Sequence, residues 1–521
     1  MMVLLALSTL AHAGPAHGGG AVKVDDDPEV LAALQARCEK KAKLKQGYDL
    51  GGVKVWPSAR CGRLPQPMMR TPDGRVGPAR GTPARSTTVQ LDLDLPRHRV
   101  AASIRAVPGD GGLLYGALFP LKGDLEVVTS GPWARGPVGW FAAPDGEVHL
   151  ERSVRLKRTD CHVERDRVMI AATCGVLPMW GGRWSLEVQG LADGWQHSWT
   201  AEEPLAVTVP ALFALADAEV AAHDDHVRVL ASPTLSMPDG QADAIAERAS
   251  AAHDSLEEPF GALPDVDWTV VPVTFGGGYE STSGYPGVGA GYRDQHPSLS
   301  VQHEVAHAWF GGVTFPDLLA PGGHWHEALA TWALAHDPDA TEEFLWMFIQ
   351  GLRDDGPPPP SLLDTSYLQT GDSNKYGRGL AAMLTFDAVV GRDRVVAATR
   401  VFLDEHHHQL TTWRDLLAVY ERELGTDDTA YLRSWLHEPW TPTLTQVGDA
   451  VVLDDPVHPH HQVRGQIFWG AADSDLLGTC DVSFGQGEVP TCEPPTDWAF
   501  AIVQPQLPVS GTGVVLRRSS P

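Results

Sequence analysis

The chain has 521 residues, 43% of them hydrophobic, which is enough to bury several cores and to expect about three domains. Forty Lys+Arg against 66 Asp+Glu leave a formal net charge of −26. A surface that acidic repels phosphate backbones and anionic headgroups, which excludes nucleic acid as a partner.

Residues 1–13 hold a short apolar run closed by Ala11-His12-Ala13, a small-x-small pattern that reads as a secretory signal peptide. The protein is therefore expected to be exported, secreted or periplasmic. No later stretch approaches the roughly eighteen apolar residues of a membrane helix, so no membrane span is expected. Residues 14–84 form a Pro/Gly-rich leader with a Cys pair, loosely structured apart from a helical stretch near Pro28 to Lys45. The six cysteines fall into three sequence-local groups: Cys38 with Cys61, Cys161 with Cys174, and Cys480 with Cys492. None has the close spacing of a zinc knuckle, so local disulfides are favoured over a metal, with connectivity left open by the spacing.

From Thr87 the pattern alternates: Val89-Gln90-Leu91-Asp92-Leu93-Asp94-Leu95 reads as a half-buried strand. Further strands, such as Trp184 to Val188 and Val207 to Val209, make residues 85–210 an all-β domain. Residues 211–445 mix strand and helix. Val227 to Leu230 is a strand, Asp239 caps a helix running to about Glu258, and the strand Trp268 to Thr274 leads into Gly276-Gly277-Gly278. Glycines there would let backbone approach a substrate closely. Glu280 follows; without further context it reads as an exposed glutamate in a glycine loop. Gly287 to Tyr292 lacks GxGxxG and reads as an edge strand rather than a nucleotide loop.

His303-Glu304-Val305-Ala306-His307 carries the most chemistry. On a helix, histidines four apart lie on one face and can grip one metal, with Glu304 beside them to handle a water. The helix is expected over Val301 to Phe310, stopped by Gly311-Gly312. A catalytic zinc keeps three protein ligands and one open position, so a third ligand should lie downstream. Glu327 is the best candidate, in an Ala-rich stretch that ends at Asp337-Pro338; His324 and His326 are its rivals. After it the chain reads as helical over Glu342 to Leu352, Lys375 to Val390, Arg394 to Glu405, Trp413 to Leu424 and Thr429 to Leu436. Residues 446–521 form a small β-type C-terminal domain, and the His406-His407-His408 and His458 to His461 clusters read as exposed loops.

His303 to Gly311, HEVAHAWFG, resembles the HELAHQWFG core of the membrane alanyl aminopeptidase family, which belongs to the gluzincins. Trp325-His326-Glu327-Ala328-Leu329-Ala330 is similar to its WLNEGFA segment. Phe275 to Ser281 resembles its GAMEN element with Glu280 at the acidic position, and Tyr376-Gly377-Arg378-Gly379 stands where the family has YEKG. The expected fold is an α+β multidomain protein: an N-terminal antiparallel β domain, as the family also has, a thermolysin-like and mostly helical catalytic domain implied by the resemblance over roughly residues 200–445, and the small C-terminal β domain read from the pattern. The resemblance also implies one Zn²⁺ per chain on His303, His307 and Glu327, Glu304 as general base and then general acid, and Tyr376 as a catalytic hydroxyl. Glu280, with Gly277 and Gly278, would bind a peptide substrate by its free N-terminus. The expected function is a zinc aminopeptidase. Two alternatives stay open: a thermolysin-like endopeptidase, whose ligand spacing matches the nineteen residues between His307 and Glu327 although its NEAxSD motif is absent, and a non-catalytic peptide-binding module.

Overall fold

The structure is a computed structural model. It describes residues 81–109, 147–158, 161–170, 174–199, 204–208, 210–224, 227–233, 239–263, 268–273, 287–291, 297–318, 320–334, 361–367 and 378–437, together with short strands within 48–78, 114–143 and 443–517. The helical stretches expected at 28–45 and 342–352 lie outside these residues, as do Cys38, Cys61 and the His458 cluster. The leader is less irregular than its composition suggests. Tyr48–Leu50, Val53–Trp56, Met68–Arg70 and Val76–Pro78 pair antiparallel in chain order as a four-stranded meander.

Two sheets form the N-terminal β region. The six-stranded sheet runs Leu205–Val207, Gly182–Gln189, Ala84–Asp94, Arg99–Pro108, Val148–Arg155, Asp124–Thr129, antiparallel except between Gly182–Gln189 and Ala84–Asp94. Along Ala84–Asp94 the alternation holds: Val89, Leu91 and Leu93 are buried while Gln90 and Asp92 face solvent. The expected strand stops one residue early, because Leu95–Arg97 turns into a 3-10 segment with Pro96 in its first turn and the Asp94 carboxylate accepting from the Arg97 N–H. The five-stranded sheet runs Lys157–Arg158, Cys161–Val163, Arg167–Ile170, Leu212–Leu215, Gln196–His197, all antiparallel. Its fourth strand lies beyond residue 210, so β structure continues past the expected change of pattern. A disulfide joins Cys161 to Cys174, both fully buried in the core shared by the two sheets. Trp180 and Trp184 pack 5.6 Å apart in that core, and Trp180 Nε1 donates to Thr87 Oγ1, so its one polar atom is satisfied.

A third sheet, Glu219–Asp224, Val227–Ala231, Trp268–Val273, Gly287–Gly291, opens the next region, parallel after its first pair. Gly287–Gly291 is its edge strand, as the missing nucleotide-loop pattern implies. Leu230 and Val271 reach into the β-region core, which joins the two regions without a gap. Helix α1 (Gln241–Phe260) connects the parallel strands. Its N-cap is Gly240 at φ 76° with no side-chain bond, so Asp239 stands in the preceding turn and does not cap it.

Helix α2 (Pro297–Ala306) begins before the expected start and ends earlier. Pro297 at its first position needs no N–H partner. After Ala306 the chain tightens: the Ala308 and Trp309 N–H groups turn back to carbonyls only three residues behind, and Gly311 adopts φ 140°. Helix α3 (Trp325–Leu334) is buried on every side, which suits its Ala, Leu and Trp content. Helices α4 (Gly379–Val390), α5 (Arg392–Glu405), α6 (Trp413–Leu424) and α7 (Thr426–His437) complete one core with α1 to α3. Helix α6 matches its expected bounds and starts on a capping box between Thr412 and Asp415. Within the histidine triplet before it, His408 is half-buried and stacks on Phe315 instead of standing in solvent.

The C-terminal region is β as expected, and starts at Thr443. A hairpin, Thr443–Val447 with Ala450–Asp454, precedes a four-stranded sheet ordered Leu476–Gly485, Gln462–Gly470, Phe500–Pro505, Val515–Arg517. Trp469 packs into the helical core, and Cys480 is disulfide-bonded. No described helix is long and apolar enough to cross a membrane.

Candidate metal centre

Helix α2 and the turn after it put His303 and His307 on one face, and α3 lays Glu327 against them. The two Nε2 atoms are 3.0 Å apart, and Glu327 Oε2 is 3.4 Å from each. The three ligand atoms fall within 4.8 Å of one another, the one such cluster of His, Cys, Asp or Glu found among the described residues. His303 is 5% exposed, and His307 and Glu327 are fully buried. The Nδ1–H of His307 donates to the Phe310 carbonyl at 3.0 Å, which leaves its Nε2 with a lone pair facing the cluster. That carbonyl is available because the α-helix has already ended.

Neither Glu327 carboxylate oxygen has a hydrogen-bond donor, although both are buried. An orphaned buried carboxylate facing ring nitrogens is costly unless a cation sits between them. Two imidazoles and one carboxylate suit zinc, and the residues present fit such an ion.

The electrostatics agree with that division of labour. Burial, reinforced by neighbouring His307, lowers His303 to about 4, so the ring is neutral and ready to act as a ligand at neutral pH. Burial opposes ionisation of Glu327, and holding it well below the usual carboxylate range takes hydrogen bonds or positive charge at His303 and His307, a part that a cation would play with neutral rings. Glu304 moves the other way. Burial, then the Glu327 charge, raises it well above that range, as suits a group that must accept and hold a proton. Glu304 is 5% exposed, and one of its oxygens, Oε2, also lacks a partner.

The rivals take other positions. His324 Nε2 contacts the Leu362 carbonyl at 3.1 Å. His326 stands behind Glu327, its Nε2 3.7 Å from Oε1 and its ring stacked on Tyr367. Neither joins the cluster. Gly277, Gly278, Glu280 and Tyr376 lie outside the described residues.

Three further groups shape the site. The Phe310 carbonyl is one, and Thr331, on α3 one turn after Glu327, is another. The third is Gly379, the first residue of α4, where a Cβ would come within 2.5 Å of Ala328 Cβ, next to Glu327. Only hydrogen at that position lets α4 lie this close to α3. Its neighbour Arg378 is buried and donates from Nη2 to the Trp435 carbonyl at 2.9 Å, tying the start of α4 to the end of α7. The Gly379 contact had a sequence signal in Tyr376-Gly377-Arg378-Gly379; the Phe310 carbonyl had none.

No family model and no curated protein matches the chain. Among solved structures it is similar to an M1 zinc metallopeptidase from Deinococcus radiodurans, a mutant bound to a Tyr-Ser-Ala substrate, with TM-score 0.52 and 15% identity over 70% of this chain and 96% of that one. A two-domain M1 zinc metallopeptidase mutant bound to L-tryptophan gives TM-score 0.51 at 15% identity, over 71% and 97% of the two chains. Legionella pneumophila aminopeptidase A, in complex with aspartic acid, gives 0.54 at 13% identity, over 82% of this chain and 59% of that one. At such identities the likeness is one of fold: β sheets, then a helical region carrying the metal cluster, then a small β region.

Proposed function

We propose that this protein is a zinc-dependent metallopeptidase, an aminopeptidase that releases residues from the free N-terminus of peptides. The observation that carries the reading is the buried Glu327 carboxylate, which has no hydrogen-bond donor and faces two imidazole nitrogens within 4.8 Å. His303, His307 and Glu327 would hold one Zn²⁺ per chain. The ion would supply Lewis acidity, lowering the pKa of a water towards about 7. Glu304 takes the proton of the attacking water and returns it to the leaving amine, and its raised pKa suits both steps. Tyr376, three residues before the Gly379 contact with Ala328, is assigned the hydroxyl that donates to the developing oxyanion. Glu280 is assigned the pairing with the substrate's α-ammonium, with Gly277 and Gly278 giving the peptide backbone close approach. The neighbouring folds' bound ligands, a Tyr-Ser-Ala substrate in one case and a single amino acid in others, support an exopeptidase.

Export is part of the proposal, supported by the buried Cys161–Cys174 disulfide, a bond that persists in oxidising compartments. A thermolysin-like endopeptidase is the second reading, favoured by the nineteen residues between His307 and Glu327. One peptide, free and N-acetylated, separates the two when products are identified by mass. An aminopeptidase trims the free form from its end and leaves the blocked form intact. Internal fragments from both at similar rates would replace it with the endopeptidase.

A further inference from the structure

The two histidines are oriented by different kinds of partner. His307 leans on a main-chain carbonyl, that of Phe310. His303 leans on a side chain: its Nδ1 lies 3.3 Å from Thr331 Oγ1. Thr331 is 3% exposed, and its hydroxyl also lies 2.9 Å from the Glu327 carbonyl, to which it donates. A hydroxyl has one proton and two lone pairs. With that proton committed to the carbonyl, Thr331 can only accept from the ring. His303 must then carry its proton on Nδ1, which leaves the Nε2 lone pair beside His307 Nε2 at 3.0 Å and Glu327 Oε2 at 3.4 Å.

We infer that Thr331 is a positioning residue of the metal centre, whose single hydroxyl sets the tautomer and ring orientation of His303 and locks both to the main chain of the helix that carries Glu327. The inference rests on the zinc reading above. Oxygen partners behind metal-ligating histidines fix the tautomer and raise ligand basicity. Here the partner is neutral, so it orients the ring without adding charge to a pocket that already holds two carboxyl groups. The bland reading is that Thr331 only bonds back along its own helix, as buried threonines often do. That reading gives His303 no dependence on the hydroxyl.

Thr331→Val keeps the shape and removes the hydroxyl, and Thr331→Ser keeps the hydroxyl and removes the methyl. Zinc affinity is measured by competition with a chromophoric chelator on purified protein, with circular dichroism confirming the fold. Thr331→Val should bind zinc about 10- to 100-fold more weakly than wild type, while Thr331→Ser should stay within a few-fold of it. ¹⁵N-imidazole NMR of the metal-free proteins should show His303 as the Nδ1–H tautomer in wild type and Thr331→Ser, and a mixture in Thr331→Val. Unchanged affinity in Thr331→Val, or an equal loss in Thr331→Ser, overturns the inference while leaving the zinc reading intact. A wild-type protein that binds no zinc removes both.

Discussion

Two largely buried carboxylates lie along helix α3 and are met in opposite ways. Near its end, Asp387 Oδ2 accepts from Trp332 Nε1 at 2.6 Å and from Arg392 at 2.8 Å, and the Arg392 guanidinium lies 4.5 Å over the Trp332 ring. Near its start, Glu327 has imidazole nitrogens on one side and no donor on either oxygen. In the first arrangement Oδ2 holds two donors while Oδ1 has none, and those two bonds lock α3 to α4 and α5. The second is complete only with a cation. Burial alone therefore does not mark a functional carboxylate; what sets Glu327 apart is that both its oxygens lack a donor while facing ring nitrogens.

The largest expected effect lies beside the unsatisfied end. Glu304→Gln should lower turnover of a free peptide by about a hundredfold to ten-thousandfold, with zinc content and melting temperature unchanged. Full activity in that variant would show that Glu304 is not the base and would reduce the contrast to metal binding alone.

Next comes the contact that ties α4 to the ligand helix. Gly379→Ala drives a methyl to 2.5 Å from Ala328 Cβ, and overpacking of that kind costs about 1–3 kcal/mol. Denaturant unfolding should show the loss. Because the strain falls next to Glu327, zinc affinity should fall as well. A destabilised variant with unchanged zinc affinity would mean that the α3–α4 contact does not set the ligand geometry.

The effect furthest from the metal cluster belongs to the Asp387–Arg392 pair. Burial pushes Asp387 up to about 7, against the pull of the Trp332 bond, and burial also brings Arg392 down to about 10. Both partners shift towards neutrality, so desolvation outweighs their attraction. An acid whose pKa is higher folded than unfolded binds more protons in the native state, so stability falls as pH rises between the two values. Relative to Asp387→Asn, the wild type should lose stability from about pH 4 to pH 7, and zinc content should be the same in both. A stability difference that stays flat over that range would mean that the carboxylate is ionised throughout and the ion pair dominates.

How much of this was legible in the sequence follows from the range of the forces involved. His303, Glu304 and His307 are read from a helical spacing, which is local, and Glu327 from one well-placed acid in an Ala-rich helix. Strands such as Ala84–Asp94 follow from alternation. The leader meander is not legible in the sequence because its strands, such as Tyr48–Leu50, are three or four residues long, too short for a period to show. The cap of α1 differs from the expected Asp239, the residue type that caps, because the chain turns through Gly240 in a left-handed conformation. Thr331 matters through a contact made only after folding, with His303 28 residues away, and the Phe310 carbonyl matters because α2 ends before it and leaves it open to His307.

The central claim is that the unsatisfied Glu327 carboxylate is a zinc ligand. Elemental analysis of wild type, Glu327→Gln and His326→Ala, each confirmed as folded, tests it most directly. Wild type and His326→Ala should carry about one zinc per chain, and Glu327→Gln should carry almost none. Zinc retained in Glu327→Gln but lost in His326→Ala would contradict the assignment and make His326 the third ligand.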